Sequence, residues 1–165
     1  LFGWPFTSMI PVIGQDRLGL GPAGIGVLAS MDGVGAFMGA VTIALLAKPA
    51  QYKAIYLGGI TLYFTMLAAF ALATDPVLAG IALVLTGVGG AGFAIMQPTL
   101  VFLATPAEMR SRVLGLLSVC IGLGPVGFLV LGGLAEVVGA PAATMAMGIA
   151  GLVALAATRR WWRHI

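Results

Sequence analysis

Charge is scarce in this chain, and so are the residues most enzymes use for chemistry. Only 8% of its 165 residues are charged, against about a quarter in a soluble domain, so a water-exposed surface cannot be assembled. The one histidine, His164, is next to last. An H-E-x-x-H zinc site is therefore excluded, and no G-x-S-x-G motif or Cys/His cluster occurs. The one cysteine, Cys120, lies inside an apolar run; it has no partner for an internal disulfide and no metal-ligand spacing. A membrane protease with paired acids needs two carboxyls deep in the bilayer, and this chain offers one, Asp32. The expectation is a non-enzyme without cofactor or metal. The net charge of +3 does not indicate nucleic acid, because the basic residues stand between apolar runs.

What the chain has in excess is hydrocarbon. It is 61% hydrophobic, with mean hydropathy +1.12. Residues 54–74, 76–107, 113–135 and 137–158 contain no Asp, Glu, Lys or Arg, and 18–47 contain only Asp32. About 20 apolar residues cross a bilayer. The pattern predicts an all-α integral membrane bundle of six helices at about 1–15, 21–47, 53–74, 77–104, 112–136 and 140–160. Short polar breaks between them predict antiparallel packing of successive helices. The first segment starts without methionine and is short for a crossing, so it reads as the far end of a truncated helix and the chain as a fragment. The 25 glycines suit close helix approach in lipid, and the 8 methionines suit adaptable surfaces.

If the connections alternate sides, one side receives Lys48, Lys53, Arg110, Arg112, Arg159, Arg160 and Arg163, and the other receives Arg17 alone. That asymmetry makes the C-terminus cytoplasmic. Tyr52, Tyr56, Trp161 and Trp162 fall at the same interface, as aromatic belts do.

Asp32 is the sharpest candidate for chemistry. It lies roughly 16 Å inside the second helix at about 1.5 Å per residue, where a carboxyl costs about 2.5–3.5 kcal/mol on insertion scales. Gly35 and Gly39, at i+3 and i+7 on the same face, form the chain's one strict Gly-xxx-Gly pair, a close-packing signature. Asp32 is therefore expected to point into the bundle. It would hold a proton or a cationic substrate there, or, neutral and hydrogen-bonded, only fix packing. Gln97 and Pro98 interrupt the fourth helix, as pathway lining or as packing. Gly87, Gly89 and Gly92 spell G-x-G-x-x-G, but no strand precedes them, which favours packing and bending over a nucleotide site. The segment from Gly122 to Gly127, with Gly124, Pro125 and Gly127, breaks the fifth helix, as a hinge or as a fixed kink. In the polar loop, Glu108, Arg110 and Arg112 either fix topology or latch onto a partner domain.

These residues resemble the major facilitator superfamily of transporters, specifically helices seven to twelve, and most closely the bacterial drug and siderophore exporter branch. The resemblance rests on Pro11 to Asp16 with Gly19, Gly26 to Ala36, the P-x-E-x-R-x-R-V-x-G loop from Pro106 to Gly115, and Gly124-Pro125-Val-Gly127 leading to Gly132, Gly133 and Glu136. Ser111 departs from it, since family members often carry glycine between the loop arginines. The Gly-Pro segment is similar to the glycine-proline motif of antiporter helix five, of which helix eleven is the repeat counterpart. The resemblance implies alternating access about a midplane site, in a bacterial inner membrane. The implied substrate is a small amphipathic molecule, exported against protons. The implied partners are the lipid bilayer and an N-terminal six-helix half, without which this fragment would not transport. The alternative is a non-transporting scaffold or assembly subunit, or a half-transporter that dimerises. The topology predicts that cysteines replacing Lys48 and Arg110 react with a membrane-impermeant maleimide from the same side of the bilayer; labelling from opposite sides would discard the span assignment.

Overall fold

The structure, a computed structural model, describes residues 3–158. Arg159, Arg160, Trp161, Trp162, Arg163 and His164, which enter the charge and aromatic-belt arguments, lie outside those residues. All regular structure among the described residues is helical. A 3-10 turn, Trp4–Ser8, runs into α1, Met9–Asp16. Then follow α2, Pro22–Leu46; α3, Tyr52–Leu72; α4, Pro76–Ala104; α5, Arg110–Ile121; α6, Gly124–Val138; and α7, Ala140–Ala157. Five stretches are long and apolar enough to cross a membrane: α2, α3, α4, α5 with α6, and α7.

The helix ends follow local chemistry. Asp75 caps α4 by accepting from the N–H of Val77 at 2.8 Å and of Leu78 at 3.2 Å, and Pro76 occupies a first-turn position where its missing N–H costs nothing. The tight connection from α6 to α7 is the single residue Gly139 at φ +85°, a backbone state that side chains oppose.

The expectation that successive helices are neighbours holds for α1 with α2, α3 with α4 and α6 with α7, and fails between α2 and α3. The extensive contact of α2 is with α4, which runs parallel to it, while α3 packs on α4 and α7. Glycine explains the choice. Gly35 lies against the backbone of Val84, and Gly39 against Val88 and Ala91, where a methyl on Gly39 would stand 2.9 Å from the Ala91 Cβ. From α4, Gly87 returns the contact onto the backbone of Asp32 and Ala36. On its other side, Gly89 and Gly92 meet Gly59, and a methyl on Gly59 would stand 2.8 Å from the Gly89 carbonyl oxygen. The G-x-G-x-x-G run is thus a two-sided packing surface. With no hydrophobic drive between helices in lipid, van der Waals contact at such close range is what holds them.

One further expectation is corrected. The first segment is not one helix but a 3-10 turn followed by two turns of α-helix. Pro5 at the start and Pro11 inside lack the N–H that a continuous ladder requires. The fifth helix does break, at Gly122–Leu123, inside the expected Gly122–Gly127 segment. There the Gly122 N–H bonds Ser118 O at 2.9 Å and the Leu123 N–H reaches only to Cys120 O at 3.4 Å, while Pro125 has no N–H for Ile121.

Gly35 and Gly33 provide a matched test, since no atom lies within 4 Å of a Cβ placed on Gly33. Gly35→Ala is expected to lower resistance to unfolding in mixed micelles by about 1–3 kcal/mol through overpacking. Gly33→Ala should be neutral or stabilising by about 0.4–1 kcal/mol.

Candidate functional site

Hydroxyl groups within the spans are satisfied within their own helices. Ser30, Thr42, Thr61, Thr99 and Ser118 each donate to the carbonyl four residues earlier. The fully buried Thr86 and Thr144 do the same, both at 2.8 Å. This local bonding removes the cost of a polar group in hydrocarbon without needing a neighbour.

Asp32, Tyr63, Tyr56 and Gln97 do not follow that rule among the described residues. Asp32 lies ten residues from the start of α2, about 15 Å along the helix, and is half-buried. Tyr63 lies nine residues before the end of α3, about 14 Å from that end. Both helix ends lie on one side of the bundle, because Arg17, just after α1, donates to the Ala71 and Leu72 carbonyls at 2.7 and 3.4 Å. The two side chains therefore share a depth. Among the described residues neither the carboxylate nor the phenol makes a hydrogen bond, yet no buried side-chain oxygen or nitrogen is sealed without a partner. Both polar ends therefore keep access to their surroundings.

Glycines on α4 seat both residues. The backbone of Asp32 seats on Gly87, and the Tyr63 ring crosses α4 at Gly90, where a methyl would stand 3.4 Å from Cδ2 and Cε2. Two further rings fix the orientation of the phenol. Phe6 stands edge-on at 5.9 Å and 86°, and Phe64 at 5.4 Å and 87°, contacts of about 0.5–1.5 kcal/mol each.

The other sequence candidates are not gathered here. Gln97 is half-buried but lies ten residues beyond Gly87, about 15 Å farther along α4. Pro98 is exposed, and α4 continues past it to Ala104. Gly124 begins α6, Pro125 is exposed and Gly127 is buried. Glu108 and Arg112 are exposed. Arg110 turns back onto the end of α4: its Nε donates to the Thr105 carbonyl at 3.2 Å and its guanidinium lies 4.1 Å from the Phe102 ring centre. Gly35 and Gly39 form the α2–α4 contact described above.

The sequence reading missed Tyr63. Its signal was available: a tyrosine at mid-span is out of place, because tyrosine ordinarily sits at the interface. The reading also missed that Arg17 caps α3, where a cation meets the negative end of a helix dipole. An apolar groove of about 570 Å³ between α2 and α4 is lined by Leu20, Leu28, Met31 and Val84 among others, and Asp32 is not part of its lining. Arg17→Ala is expected to reduce stability in micelles by about 1 kcal/mol without affecting insertion, measured by the same unfolding assay.

The family model of the Major Facilitator Superfamily matches residues 1–164. No curated protein matches the chain, and no solved structure does.

Proposed function

This chain belongs to the Major Facilitator Superfamily, and we propose that within this family of membrane transporters it supplies one six-helix half of a proton-coupled exporter of small amphipathic molecules. The observation that carries this reading is Asp32, an ionisable group at mid-depth without a hydrogen-bond partner among the described residues. An acid in that position costs insertion energy that a purely structural role does not repay, and it can take up and release a proton as access alternates.

The rest of the transport cycle is assigned as follows. The second half docks against the faces left open on α2 and on the α5–α6 span, which buries the smallest share of its length. On those faces, a methyl placed on Gly26, Gly33 or Gly115 would have no atom within 4 Å, so another helix can approach closely. The interruption at Gly122–Leu123, followed by Gly124, Pro125 and Gly127, is the point at which the fifth span bends. Pro98 and Gln97 line the cytoplasmic end of the pathway. Arg110 ties α5 to α4, so the two move together, with Glu108 and Arg112 facing the cytoplasm of a bacterial inner membrane.

The test uses the transporter that contains this chain, in vesicles with an imposed pH gradient. Asp32→Asn is expected to insert normally and to lose gradient-driven flux by at least tenfold. Unchanged flux removes Asp32 from the coupling mechanism.

A further inference from the structure

We propose that the ends of α1 and α6 close on one another and that Arg17 is the latch: it exchanges the carbonyls at the end of α3 for the Glu136 carboxylate. This adds a gate to the carrier reading above and, as a step in transport, rests on it.

The first segment and α6 touch at one end and part at the other. The 3-10 turn Trp4–Ser8 packs on α6, whereas α1 packs chiefly on α2 and α7. Between the end of α1 and the end of α6 lies a cavity of about 430 Å³, with Val12 and Ile13 on one wall and Gly132, Ala135 and Glu136 on the other. The α6 wall is built from small residues, and a methyl placed on Gly132 would have no atom within 4 Å. Helix α1 therefore has room to move and a surface that allows close approach. It also has a place to bend. The 3-10 turn gives way to α-helix at Met9, and Pro11 has no N–H to donate to the Thr7 carbonyl.

Charge supplies the latch. Arg17 and Glu136 line this one cavity, together with Asp16. Neither carboxylate makes a hydrogen bond or ion pair among the described residues. Arg17 donates instead to two neutral carbonyls, of Ala71 at 2.7 Å and of Leu72 at 3.4 Å, and the second is longer than an ordinary N–H···O bond. A carboxylate is the stronger partner for a guanidinium, because both groups are charged and two parallel bonds can form. Asp16 precedes Arg17 in the chain and travels with it, so Glu136 is the acid whose pairing depends on the width of the cavity. Asp75 is occupied in capping α4.

The experiment uses the full transporter that contains this chain, carrying Cys120→Ala, in membranes without a gradient. Val12→Cys and Gly132→Cys place one thiol on each wall, and the rate of oxidative disulfide formation is measured. A disulfide needs Cα atoms within about 7 Å, which closure supplies. Glu136→Gln is expected to slow crosslinking by at least about fivefold, and Arg17→Gln by a similar factor, since each removes one charge of the pair. Exchanging the charges, Arg17→Glu with Glu136→Arg, should bring the rate back to within about twofold of the starting protein or above it, because the relocated acid cannot bond the α3 carbonyls. Should the first cysteine pair fail to insert, Val12→Cys with Ala135→Cys repeats the measurement.

An arginine that only caps α3 gives another pattern: Glu136→Gln leaves the rate unchanged and the charge exchange rescues nothing. Either result overturns the latch, as does absence of crosslinking in the starting protein. Crosslinking needs no flux, so the two readings separate. Charge-dependent crosslinking in a protein that carries no substrate sustains the closure and removes the carrier. Gradient-driven flux with charge-independent crosslinking does the reverse.

Discussion

Backbone contact at glycine is the interaction on which this bundle depends. Lipid gives helices no hydrophobic reason to associate, so adhesion must come from surfaces that fit. Helix α4 fits on two sides at once because Gly87 faces α2 while Gly89 and Gly92 face α3. Each partner answers with its own small residues, Gly35 and Gly39 on one side and Gly59 on the other. The outer helix α7 follows the same rule, with Gly148 against Phe64 and Ala68. Where glycines have no such counterpart, as along α5, the helix remains largely uncovered.

The same packing sets the chemistry. Asp32 and Tyr63 belong to helices that do not pack extensively on each other. Both lie against α4, whose missing side chains let the carboxylate helix approach at Gly87 and the phenol ring at Gly90. Most serine and threonine hydroxyls within the spans fold onto their own helix, and Arg17 and Arg110 are drawn to helix ends; Asp32, Tyr56, Tyr63 and Gln97 are left without a side-chain hydrogen bond among the described residues.

Much of the fold was legible because the bilayer enforces a simple grammar. Uncharged runs marked the spans, and the α2, α4 and α7 starts fell within a residue of those expected. Asp32 with Gly35 and Gly39 correctly indicated a packed face. What could not be read was which helix that face would meet. Short connections suggested α3, but complementarity of backbone surface selected α4, and complementarity is a property of two helices that neither displays alone. Tyr63 was hidden for the same reason: its neighbours Gly3, Phe6 and Gly90 come from the N-terminal segment and α4, far away in sequence. Arg17 was read only as a minority charge, because the carbonyls it serves are more than fifty residues downstream.

The interruption at Gly122–Leu123 has a mechanical consequence. At about 1.5 Å per residue, the 12 residues of α5 and the 15 of α6 measure about 18 and 22 Å, each short of the roughly 30 Å of hydrocarbon. Neither rod spans the lipid alone; each belongs to one leaflet, with the joint between them near where the acyl tails meet. A thinner or thicker bilayer can then be accommodated by flexing that joint, while the glycine-locked trio of α2, α3 and α4 keeps its shape.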